Sequence, residues 1–346
     1  MLFVLDYIFI NDNEHLNVSC VHIKVSSHAR KIITPMKISY PNRNNVSETD
    51  QFEKFQEDFD QNIEFLEDFY GLITVSGRII SFVTPEKIHF VNPVLLNSSI
   101  NTLKSIKLCC SIGSFSDANT LIRKLRDDLL LYAYILSVLN KYKPFAQNSI
   151  EQISLENEKE FAKTFSNLEF NTNLSNDEKA IESWLKNEVH KLDDNIKKKL
   201  SFGNYMNVLK SNPEVKIILE KYNLKNYWAL LTGKLNDYVH NNGQKFNSHN
   251  IVHSETIQLD IYLSNINIRT SYVVTFFLIL ITMTESALLC SGEIEDYLNL
   301  GLEPPEDCQY EIAPFIQKFI DDKVVKLHPE LKDYLRDNNN YKMKIQ

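Results

Sequence analysis

Residues 116–142 read SDANTLIRKLRDDLLLYAYILSVLNKY, and their spacing decides the fold. Leu121, Ile122, Leu125, Leu129, Tyr132, Ile135, Leu136 and Leu139 recur at three- and four-residue steps, the repeat of a helix with one apolar face. Ser116, Asp117 and Asn119 supply short polar side chains of the kind that open helices. Working outward, residues 91–110 predict a helix that begins after Pro93, and residues 111–115 break it. Further helices are expected at 176–191, 203–211, 213–222, 224–241 and 254–290, with two tail helices opening near Pro314 and Pro329. Only 8 Gly and 10 Pro occur in 346 residues, too few for the many turns of an all-β sandwich. The chain therefore reads as mainly α, a multi-helix bundle.

The N-terminal part is less uniform. Residues 16–25 and 31–40 alternate weakly and are rich in β-branched side chains, so a small hairpin or sheet is expected there. Residues 47–70 predict an amphipathic helix capped at Ser47, with Phe52, Phe55, Phe59, Ile63, Leu66 and Tyr70 on one face. Between 48 and 68 stand nine acids against Lys54 alone, a net −8 that equals the charge of the whole chain. The remainder is formally neutral, so no broad basic surface for nucleic acid shows in the totals. The acidic back of this helix fits a solvated face or a docking surface for a basic partner. Three regions follow: an α+β region at 1–92, a helical core at 93–301 with a polar insertion near 144–175, and a helical tail at 302–346 packed on the core.

Five cysteines, including the neighbours Cys109 and Cys110, lack CxxC spacing and fit reduced thiols of a cytoplasmic protein. His249 and His253 stand four apart without an HExxH context or partner cluster, so neither a metal nor another cofactor is expected. The start, MLFVLDYIFIND, has no basic n-region or small-residue cleavage site, and no signal peptide is expected. Residues 271–291 are long and apolar enough to span a membrane. Their Thr275, Thr282, Thr284 and Glu285, with no belt at both ends, favour a buried central helix instead.

Two constellations could carry chemistry. Asn119, Arg123, Arg126 and Asp127 form a polar stripe on the otherwise apolar helix of 116–142. An arginine in such a pattern calls for a carboxylate or a phosphate, and Arg123 with Asp127 also fits an intrahelical pair. Residues 228–243, WALLTGKLNDYVHNNG, carry Trp228, Thr232, Asn236 and His240 at four-residue steps beside an apolar stripe of Tyr227, Leu231, Leu235 and Val239. A neutral imidazole can take a proton from a ribose 2′-hydroxyl, and Lys234 could stabilise the resulting anionic phosphorane without a metal. His240 equally suits a helix end, where it favours the negative pole.

Residues 102–136, TLKSIKLCCSIGSFSDANTLIRKLRDDLLLYAYIL, and residues 227–243, YWALLTGKLNDYVHNNG, resemble the HEPN superfamily (higher eukaryotes and prokaryotes nucleotide-binding), especially its bacterial abortive-infection-like members. The likeness runs from about 102 to 291. It implies an all-α bundle, commonly dimeric, whose active members cleave RNA without metal in a cleft between protomers. The resemblance assigns His240 as base, Lys234, standing where active members carry arginine, as phosphate stabiliser, and Asn236 as orienting group. Arg123, Arg126, Asp127 and Asn119 would contact or position the RNA phosphate. Expected roles are a toxin or anti-phage ribonuclease, or alternatively a non-catalytic module binding nucleotide or a protein. Expected partners are RNA, and a second copy or a protein docked on the acidic helix near 48–70.

Overall fold

A computed structural model describes residues 43–75, 80–84, 86–91, 93–145, 169, 171, 173–239 and 257–346. Eleven α-helices of six residues or more follow in order among them: α1 Asp50–Val75, α2 Val94–Ser111, α3 Phe115–Leu139, α4 Asn176–Leu185, α5 Phe202–Lys210, α6 Pro213–Lys221, α7 Leu224–Val239, α8 Ile257–Thr284, α9 Glu293–Asn299, α10 Pro314–Phe319 and α11 Pro329–Asn338. The protein is mainly α, as the apolar spacing predicts. The segments expected to form an N-terminal sheet, 16–25 and 31–40, lie outside the described residues. Among the described residues an antiparallel hairpin stands between α1 and α2, with β1 Ile80–Val83 paired to β2 Ile88–Val91 in the register Ile80 opposite Val91. Tyr142 pins it beyond the end of α3, donating its hydroxyl to the Val83 carbonyl at 2.8 Å with its ring 4.9 Å from Phe82.

α3 is the organising element. It packs along α2, α8, α5 and α7. Its turn from α2 is tight because Gly113 takes a φ of +74°, which a Cβ would strain, so that Gly113 and Ser114 can donate to the Cys110 and Cys109 carbonyls. The Ser114 hydroxyl donates to the Asp117 carboxylate at the entrance of α3. α1 begins later than its sequence suggests. A 3₁₀ turn covers Arg43–Glu48, and Thr49, not Ser47, accepts from the Phe52 amide to cap α1.

The other starts are local chemistry. Ser175 and Glu178 form a reciprocal capping box on α4, Ser201 caps α5, and Asn212 caps α6 with Pro213 at its first position. α8 is apolar on every side over its second half, and most of the apolar stretch within Leu259–Thr284 is buried. It is the one helix among the described residues long and apolar enough to cross a membrane, and α3 and α1 pack against it here. Two of its hydroxyls are spent within the helix, Thr282 on the Leu278 carbonyl and Thr284 on that of Leu280, both at 2.8 Å. One continuous apolar core runs from Val46 to Ile345.

Candidate functional site

Asn119, Arg123, Arg126 and Asp127 lie within about 100° of one another around α3, a single stripe by helical geometry. Asp127 joins the two arginines. Its Oδ1 accepts from Arg126 Nε at 2.9 Å and Nη2 at 2.7 Å, and its Oδ2 lies 3.9 Å from Arg123 Nε. Arg126 is 2% exposed, and its guanidinium carbon lies over the first ring of α5, 4.0 Å from the centre of Phe202. Burial lowers the Arg126 pKa, while the Asp127 charge and hydrogen bonds raise it. A guanidinium stays charged regardless.

Among the described residues the Nη1 of Arg123 and the Nη1 of Arg126 are buried without an acceptor. Leaving a buried donor unsatisfied costs about 1–3 kcal/mol, more for a charged group. Two cations sharing one carboxylate, each with a donor to spare, are chemically suited to an oxyanion. Burial raises the neighbouring Tyr205 hydroxyl to about 12, with the Asp127 charge adding to it, so this phenol stays neutral near pH 7.

The far end of the stripe is closed by a residue the sequence reading passed over. Arg269, deep in α8, donates from Nη1 to Asn119 Oδ1 at 2.7 Å and to the Tyr238 hydroxyl at 3.4 Å. Asn119 in turn donates its amide to the Phe115 carbonyl at 2.8 Å. Asn119 is thus held in the core and turned toward α8. The signal for Arg269 was a lone guanidinium at the head of the long apolar run of α8.

α7 presents a different face from the one expected. Leu224, Trp228, Leu231, Leu235 and Tyr238 are buried, whereas Val239 is exposed and Tyr227 half-buried. Trp228 belongs to the core, stacked on Phe276 of α8 at 4.3 Å, and not to a polar stripe. Lys234 and Asn236 are both partly exposed, and two positions of a regular helix separate them by about 200° around α7. They leave on different flanks. His240 follows the last residue of α7 and lies outside the described residues, as do His249 and His253.

Among the described residues no three His, Cys, Asp or Glu side chains group as metal ligands. Cys109, Cys110, Cys290 and Cys308 are free thiols, and burial raises Cys110 well above an ordinary thiol.

No curated protein matches the chain, and no solved structure does. Residues 90–257, just under half of the chain and the part that carries α2 through α7, match the model of a family described as a family of unknown function, DUF5677.

Proposed function

We propose that this protein is a HEPN-like RNA-binding protein of the toxin or anti-phage type, acting as a metal-independent endoribonuclease in the cytoplasm as a homodimer. The observation that supports the reading best is the pair of buried, unspent Nη1 donors on Arg123 and Arg126, bridged by Asp127. In this reading Arg123, partly exposed, reaches the RNA phosphate. Asp127 aims it, and Arg126 is held by Phe202 as the rigid floor. His240 takes the 2′-hydroxyl proton, and the departing 5′-oxygen receives a proton as the cyclic phosphate forms. Asn236 orients the substrate, and Lys234 neutralises the phosphorane. Their opposite flanks on α7 suit a cleft built from two protomers, in which each copy lends one flank to each site.

The test is cleavage of single-stranded RNA by the purified chain in EDTA at about pH 6–8. The expected products carry 2′,3′-cyclic ends, His240→Ala abolishes cutting, and Arg123→Ala lowers it by about a hundredfold. RNA left intact across that range would remove the enzyme reading.

A second reading rests on α1. Glu53, Glu57, Asp58, Glu64, Glu67 and Asp68 are all exposed along it, a face suited to a basic protein partner in a non-catalytic module. A co-purifying basic protein released by salt, with RNA left whole, would favour it.

A further inference from the structure

The loop side of α5, α6 and α7 holds a hollow of about 300 Å³ unlike any other part of the surface described above. Lys210 at the end of α5, Lys216 on α6 and Lys225 in the first turn of α7 line it, over a floor made by the buried Leu219. None of the three ammonium groups has a carboxylate within ion-pair distance or a hydrogen-bond acceptor among the described residues. Elsewhere lysines are commonly taken: Lys107 by Asp60 at 2.8 Å, Lys199 by Asp177 at 3.0 Å, Lys186 by Glu182 at 2.8 Å. Three cations around one hollow, with Glu220 the single carboxylate in the lining, repel one another, and an anion relieves that repulsion.

Backbone electrostatics adds to the side chains. Lys225 is the second residue of the sixteen-residue α7, so the positive end of that helix opens at the hollow. Three features oppose an anion: Glu220 on the rim, the negative end of α5 at Lys210, and that of α6, whose last turn brings Leu219 and Glu220 to the lining. Three lysines and the α7 amides outweigh them. The lining carries no aromatic ring, so nothing there would stack a base, and the hollow suits a phosphate more than a nucleobase.

α5 ties this hollow to the arginine stripe. Phe202, its first residue, lies under Arg126, and Lys210, its last, lines the hollow. Eight residues at about 1.5 Å each place them about 12 Å apart along the helix, a span a single strand of RNA covers with a few nucleotides.

We propose that Lys210, Lys216 and Lys225 form a sequence-independent phosphate site for single-stranded RNA, gripping the backbone a few nucleotides from the arginine stripe. This deepens the proposed function and rests on its choice of RNA as ligand. The strand is held here by charge alone, and the stripe meets the phosphate that is to react. Each lysine that contacts a phosphate releases a condensed counterion, so binding weakens predictably as salt rises.

The experiment titrates a fluorescent 2′-O-methyl oligouridylate, which lacks the 2′-hydroxyl nucleophile, with the full chain at several salt concentrations. Replacing all three residues (Lys210→Gln, Lys216→Gln, Lys225→Gln) should weaken binding at low salt by at least about tenfold. It should also flatten the plot of log K against log salt by about 2, or ~0.7 per lost contact. Cleavage of a dinucleotide, too short to reach the hollow, should be unchanged. An unaltered slope and affinity in the triple variant would overturn the proposal, and wild-type cleavage of RNA would then still uphold the ribonuclease reading. Lysine-dependent binding by a chain that never cuts would sustain this site and discard catalysis. A wild-type chain that binds no oligouridylate at any salt would overturn both.

Discussion

Arg269 and Asn119 stand 150 residues apart in sequence, and their side chains meet at 2.7 Å inside the core. The guanidinium comes from the most apolar helix of the protein and the amide from the most central one, so the bond locks α8 against α3 beside the end of α7. Buried charge of this kind survives only with good partners.

Breaking that lock should be costly and coupled. Asn119→Leu removes the acceptor from a buried cation and should lower stability to urea by about 2–4 kcal/mol. In a double-mutant cycle with Arg269→Met the two effects should fall short of additivity by at least about 1 kcal/mol. Additive losses would mean the two side chains touch without supporting one another.

Arg126 should not tolerate lysine. An ammonium cannot sit over Phe202 while making the paired contact to Asp127 that the guanidinium makes from Nε and Nη2. Arg126→Lys should therefore cost about 1–3 kcal/mol in chemical denaturation. Stability within about 0.5 kcal/mol of the parent would deny Arg126 its role as a floor.

Trp228 and Val239 discriminate the faces of α7. Trp228→Ala removes a ring stacked on Phe276 and should cost about 3–5 kcal/mol, whereas Val239→Ala, on the exposed side, should stay within about 0.5 kcal/mol. Equal losses would show that α7 is seated in another register.

Glu285 gives stability a pH dependence of unusual sign for a carboxyl group. Burial raises its pKa from 4.5 to about 7, against a lowering hydrogen bond from Tyr341. The native protein keeps this proton at pH values where the unfolded chain has already lost it. Unfolding then releases a proton, and stability falls as pH rises from about 4.5 to 7. Thermal melts of Glu285→Gln against the parent should diverge over that window and run parallel on either side of it. Profiles parallel throughout would place the Glu285 carboxyl in water.

Much of the architecture was legible because periodicity is a local property. The eight apolar positions singled out between 121 and 139 are buried or half-buried, and the proline starts at Pro314 and Pro329 stand where the tail helices begin. The hairpin at Ile80–Val83 and Ile88–Val91 was not legible. Four-residue strands are too short for alternation to stand out, and what seats them is Phe82 meeting Tyr142 some sixty residues on. The start of α1 slipped from Ser47 to Thr49 because both residues are competent caps and only the path of the preceding turn chooses between them.

The candidate site divides in the same way. The arginine–aspartate step of α3 could be read directly, since residues three and four apart on a helix must be neighbours. The polar row counted back from His240 could not hold, because each four-residue step turns about 40° beyond a full turn. Over the twelve residues to Trp228 the row winds by about 120°, and its far end enters the core. Arg269 and Phe202, the partners that hold Asn119 and Arg126, come from distant elements, and nothing in their own neighbourhoods names those contacts.

By itself, then, the amino-acid order determined which segments are helical and which of their residues share a face, for those relations follow from the 3.6-residue turn alone. Only the tertiary structure decided which faces meet, which arginine lies over an aromatic ring and that both keep an unspent donor. Those outcomes depend on how α3, α5, α7 and α8 fill one common interior, where each helix's position is set by the side chains of the others.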